Sequence, residues 1–126
     1  MYESFNTKIF HYDESVRLAT TKFFSYLSNV INYKVSYLQG HNIPENFEYL
    51  EALKHMYFSA HDSTFAAVLK GLEMPADSEI QFASVFNIEL WRKSGAEGLH
   101  LDDYYVRWLY NDHALDIDGG CKDDMC

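Results

Sequence analysis

A histidine and an aspartate stand side by side at His61-Asp62, after the run Tyr57-Phe58-Ser59-Ala60 and directly before Ser63-Thr64-Phe65-Ala66-Ala67-Val68-Leu69. An imidazole can donate a charge-assisted hydrogen bond to an anion. A neighbouring carboxyl group can hand a proton to a departing oxygen. The place matters as much as the pair, because a short apolar run meets a helix-patterned segment here. Open α/β sheets hold their ligands at such junctions, outside the carboxyl ends of the strands. A helix start also offers unpaired N–H groups and a positive dipole end, which suit phosphate. The plainer reading is a surface turn in which Asp62 caps the helix.

The other groups able to do chemistry are more scattered. His11, His41, His55, His100 and His113 share no ligand spacing, so no metal site is expected. Asp116-Ile117-Asp118-Gly119 hints at a calcium loop, but that register needs an acid where Ala114 stands and a Glu where Met125 stands. The two cysteines, Cys121 and Cys126, could close a small disulfide loop, which would imply an oxidising compartment. There is no Asn-x-Ser/Thr sequon.

The chain as a whole bounds what could position these groups. Its 126 residues make one domain or part of one, 48% hydrophobic and 17% aromatic, which excludes a disordered polypeptide. Ten Tyr and nine Phe imply either a dense aromatic core or a large exposed apolar face. A net charge of −9 argues against a nucleic-acid binder, which would need a basic stripe. Seven Asp fall between Asp102 and the end, read as a solvated acidic tail. No run approaches the length of a membrane span, and Met1-Tyr2-Glu3-Ser4-Phe5 lacks the pattern of a signal peptide.

Periodicity orders the elements. Residues 1–14 read as an irregular lead-in. A helix then carries Val16, Ala19, Phe23, Leu27, Val30, Ile31, Lys34, Tyr37 and Leu38 at spacings of three and four, and Gly40 stops it. Residues 44–53 suggest a short helical turn. Residues 55–60 read as a buried strand, and residues 63–72 as a helix with Phe65, Val68, Leu69 and Leu72 on one face, ended by Gly71 and Pro75. Alternation over residues 82–91 and 104–110 gives two strands around the loop Ser94-Gly95-Ala96-Glu97-Gly98, paired as an antiparallel hairpin. The class is α/β, with helices packed on a mixed sheet.

Four landmarks in this order resemble those of the histidine acid phosphatases, the branch that includes the prostatic and lysosomal acid phosphatases. They are Ser59-Ala60-His61-Asp62-Ser63-Thr64, then Phe82-Ala83-Ser84-Val85-Phe86-Asn87-Ile88-Glu89-Leu90-Trp91, then Tyr104-Tyr105-Val106-Arg107-Trp108-Leu109-Tyr110-Asn111, and finally Gly120-Cys121 with Cys126. The similarity runs from about Val16 to Cys126. It implies a phosphoglycerate-mutase-like fold and two-step hydrolysis of a phosphate monoester through a phosphohistidine. His61 would then bind a phosphate oxygen, and Asp62 would be the general acid that protonates the departing alcohol. No cofactor or metal is implied. A phytase or inositol-polyphosphate phosphatase would share the same His-Asp motif.

The departures from the pattern are specific. The family's other signature, Arg-His-Gly-x-Arg-x-Pro, which holds the nucleophile and two phosphate-clamping arginines, has no counterpart here. The only arginines are Arg17, Arg92 and Arg107. Val85 stands where relatives often have Cys, and relatives continue into a final helix. The expectation is the C-terminal part of a single phosphatase domain, inactive alone for lack of the nucleophile. The rival expectation is a non-catalytic remnant or interaction module whose uncovered apolar surface drives self-association, as a homodimer for example. Family members are often secreted or lysosomal.

Overall fold

The structure, a computed structural model, describes residues 13–74 and 80–117. Cys121, Cys126 and Pro75, and with them the disulfide and the closing turn, lie outside the described residues.

Helix α1 spans Asp13–Leu38. Its inward stripe buries Val16, Thr20 and Val35, with Phe23, Phe24, Leu27 and Ile31 half-buried between them. Ala19, Tyr37 and Leu38, expected on this stripe, are exposed. Thr20 takes the inward place instead, since its hydroxyl donates to the Val16 carbonyl at 2.8 Å and is satisfied within the helix. Gly40 ends the helix as expected. Its φ of +80° lets the His41 N–H reach the Ser36 carbonyl and its own N–H the Tyr37 carbonyl, both at 2.9 Å.

A 3-10 turn, Glu45–Leu50, follows Pro44. It seats Leu50, 1% exposed, against α1. The Lys34 ammonium donates to the Leu50 and Glu51 carbonyls at 2.6 and 3.1 Å and fixes the turn to the helix.

The strand expected at residues 55–60 does not form. No described residue makes a backbone hydrogen bond to this stretch, and its apolar side chains are open, with Tyr57 81% exposed. The cause lies in pairing: an apolar run becomes a buried strand only when a neighbouring strand takes its N–H and C=O groups. The expected mixed sheet is corrected with it.

Helix α2, Asp62–Gly71, buries Ala66, Ala67, Val68 and Leu69 and leans on α1. Gly71 is the last helical residue rather than a left-handed stop. A Cβ there would stand 3.1 Å from a Phe24 ring carbon and 3.6 Å from a Val16 methyl, so glycine permits the close crossing of the two helices. The chain turns away at Glu73, whose φ is +59°.

Strands β1 (Phe86–Arg92), β2 (Tyr104–Tyr110) and β3 (His113–Ala114) form an antiparallel sheet in the order β1-β2-β3. Phe86 lies opposite Tyr110 and Arg92 opposite Tyr104. The hairpin is as expected, but β1 starts later than the alternation suggests. Residues 81–83 turn instead, Ala83 adopts φ +60°, and Phe82 points wholly into solvent. Edge-on and tilted ring contacts join the helices to the sheet: Phe24 to Trp108 at 6.4 Å, Phe65 to Phe86 at 6.4 Å and to Tyr110 at 6.3 Å. The described chain is therefore a mixed α/β arrangement, two helices against a small antiparallel sheet.

Candidate functional site

The chain enters α2 through His61, whose extended backbone (φ −103°, ψ 165°) makes it the N-cap residue. Its carbonyl accepts the Thr64 and Phe65 N–H groups at 3.0 and 3.2 Å, so the backbone at this corner is held firmly. Its side chain does not cap the helix. Among the described residues the imidazole has no hydrogen-bond partner, and it is exposed, which leaves both ring nitrogens free for a ligand.

Asp62 opens the first turn of α2. One of its carboxylate oxygens accepts the Ser63 N–H at 2.6 Å. That bond uses one of the free donors at the helix start and sets a negative charge against the positive dipole end. The reading of Asp62 as the capping residue is corrected: His61 holds the N-cap position, and Asp62, the first helical residue, accepts among the described residues only from its neighbour's N–H. Its other oxygen stays open to solvent and to any bound group.

His61 forms one corner of a groove of about 450 Å³. Residues 55–61 make one wall, residues 84–88 the other, and Phe23, Phe65 and Val68 from the two helices make the floor. Asp62 is not a wall residue, so the expected pair splits: His61 borders the groove, and the exposed Asp62 does not line it. The polar groups on the walls are His55, Ser59, Thr64, Ser84 and Asn87. His55, read from sequence as a lone histidine, shares the groove with His61. Ser84 and Asn87 belong to the second landmark and to the alternation over residues 82–91, but neither signal marked them as site residues, because only the fold brings them to the groove that His61 borders.

Arg17, Arg92 and Arg107 do not line the groove, so its cationic capacity rests on the two imidazoles. No group of three or more His, Cys, Asp or Glu among the described residues could hold a metal ion. No helix among them is long and apolar enough to cross a membrane. The arrangement can bind an anion weakly at the head of α2, with a carboxyl group one residue away. No family model, curated protein or solved structure matches this chain.

Proposed function

We propose that this chain is the C-terminal part of a histidine acid phosphatase domain of phosphoglycerate-mutase-like fold, contributing the phosphate-binding and general-acid half of the site. The observation that carries the reading is the exposed His61 imidazole, bordering a groove and without a hydrogen-bond partner among the described residues, with the Asp62 carboxyl group next to it at the start of α2. His61 donates to a non-bridging phosphate oxygen, where its hydrogen bond strengthens as charge develops in the transition state. Asp62 in its protonated form gives the leaving oxygen its proton, so the product departs as an alcohol and not as an alkoxide. The attacking nucleophile, a histidine of an Arg-His-Gly segment, belongs to the remainder of the complete protein. The new P–N bond forms as the P–O bond breaks, and water later cleaves the phosphohistidine.

The test has two parts. Reading the transcript upstream of Met1 should reveal an Arg-His-Gly-x-Arg segment in frame. The complete protein, quenched during turnover of a radiolabelled phosphomonoester, should carry phosphate on that histidine, and His61→Ala should lower the labelling rate. Labelling that His61→Ala leaves untouched would remove the assigned role.

A second reading, an interaction module without catalysis, is favoured by the open apolar groups Tyr57, Phe58 and Phe82. It predicts association in solution, measured by sedimentation, and no phosphoenzyme in any longer form of the protein.

A further inference from the structure

Residues 53–61 join the 3-10 turn to α2 without helix, strand or turn, and no described residue makes a backbone hydrogen bond to residues 55–60. Both ends of the span are held. On one side the Lys34 ammonium grips the Leu50 and Glu51 carbonyls, and on the other the His61 carbonyl accepts the Thr64 and Phe65 N–H groups. The middle can therefore be drawn into another protein's cleft without breaking a backbone hydrogen bond among the described residues. An endopeptidase needs such a span, because it binds its substrate as an extended strand of several residues.

Which bond is cut depends on a side chain that can leave the surface and fill the protease's specificity pocket. Tyr57 is 81% exposed. Its neighbour Phe58 is engaged, edge-on to Phe23 at 6.1 Å and to Tyr26 at 6.2 Å. The other large exposed apolar side chains stand on bonded backbone. Leu18 and Leu38 belong to α1, Trp91 to β1 and Leu101 to a short 3-10 turn. Phe82 is more exposed still, but the Ser84 hydroxyl and N–H both bond back to the Gln81 carbonyl, at 2.8 and 3.4 Å, and curl the chain around it.

We propose that the Tyr57–Phe58 peptide bond is the cleavage site for an endopeptidase that prefers aromatic residues, and that the two pieces stay together after the cut. Water adds across the bond between the Tyr57 carbonyl carbon and the Phe58 nitrogen, so a carboxylate ends one piece and an ammonium group begins the other. What joins the pieces is packing that the cut does not touch. Gly71 lies against Phe24 and Val16, Phe24 is tilted against Trp108 at 6.4 Å, and Phe58 keeps its edge-on contacts with Phe23 and Tyr26. The nick divides one wall of the groove between two chain ends and leaves His61 at the cap of α2. The inference does not rest on the phosphatase reading.

The test treats the 126-residue chain with a trace of chymotrypsin and follows the products by mass. The expected first products are residues 1–57 and 58–126, which elute together from a sizing column in native buffer and apart in denaturant. Trypsin, which cuts after Lys and Arg, should cut first after Lys54, the exposed basic residue of the same span. Tyr57→Ala should slow the first chymotryptic cut about tenfold or more, because the specificity pocket is left unfilled, while Phe82→Ala should leave its rate and position unchanged. Both side chains are exposed, so equal thermal melts of the variants and the parent check that the fold is kept. A first cut elsewhere, many cuts at once, or a Tyr57→Ala chain cut at the parent rate would overturn the proposal. So would pieces that part in native buffer, or a chain that resists both proteases, a sign that the span is covered in solution. None of these outcomes bears on whether His61 binds phosphate, so the two readings fail separately.

Discussion

Gly71 on α2 and Phe24 on α1 meet so closely that a Cβ at position 71 would stand 3.1 Å from the Phe24 ring. That ring has little room to yield, since it lies edge-on to Phe23 at 5.6 Å and tilted against Trp108 at 6.4 Å. Gly71→Val should therefore cost about 1–3 kcal/mol by overpacking. Gly71→Ala should be nearly neutral, because about 1 kcal/mol of gained helix propensity offsets the tighter contact. Thermal melts of the two variants check the difference. Equal stability of Gly71→Val and the parent would mean that the helices cross less tightly than this.

Gly98 is fixed by both conformation and space. Its φ is +80°, and a Cβ would lie 2.7 Å from the Tyr104 hydroxyl and 3.1 Å from Arg92 Cδ. The same hydroxyl donates to the Gly98 carbonyl at 2.9 Å, while the Gly98 N–H donates to the Asp103 carboxylate at 3.1 Å. Gly98→Ala should destabilise the hairpin loop by about 1–3 kcal/mol, read from a denaturant midpoint. Tyr104→Phe should cost less, about 1 kcal/mol, because it deletes one hydrogen bond and adds no atoms.

These two glycines show what could be read from the residues alone and what could not. The long period of α1, its stop at Gly40 and the alternation of the hairpin are local signals, and the structure keeps them. Gly71 looks like the same kind of punctuation, yet its reason is a neighbour some 50 positions away in the chain. Residues 55–60 fail for the opposite cause: their composition asks for burial between strands, and no described strand reaches them. At the site, the adjacency of His61 and Asp62 was plain. The wall formed by residues 84–88 was not, because nothing in either segment encodes their meeting.

Tyr49 should titrate late. Its hydroxyl lies 3.0 Å from that of Tyr26, and this hydrogen bond, followed by modest burial, raises its pKa above the ordinary tyrosine value. A raised pKa means that the folded state favours the protonated phenol. The stabilisation is then fully present below the ordinary value of about 10 and is lost as pH rises through the folded-state value. Phenol absorbance during an alkaline titration should contain a late-ionising component from Tyr49, and Tyr26→Phe should move that component to lower pH. A titration unchanged by Tyr26→Phe would break the link between the two hydroxyls.

Asp62 gives the sharpest test of the proposed chemistry, because a general acid matters in proportion to how badly the leaving group departs. An alkyl phosphate releases a strongly basic alkoxide unless it is protonated, whereas a nitrophenolate leaves readily without help. In the complete protein, Asp62→Asn should slow hydrolysis of an alkyl phosphate by about 10²–10⁴-fold and that of a nitrophenyl phosphate far less. The carboxamide keeps an oxygen that can accept the Ser63 N–H, which the carboxylate holds at 2.6 Å, so the start of α2 should stay intact. Equal thermal stability of variant and parent confirms that point independently. Slowing that is the same for both substrates, on a folded variant, would show that Asp62 positions phosphate or the helix end and does not donate the proton.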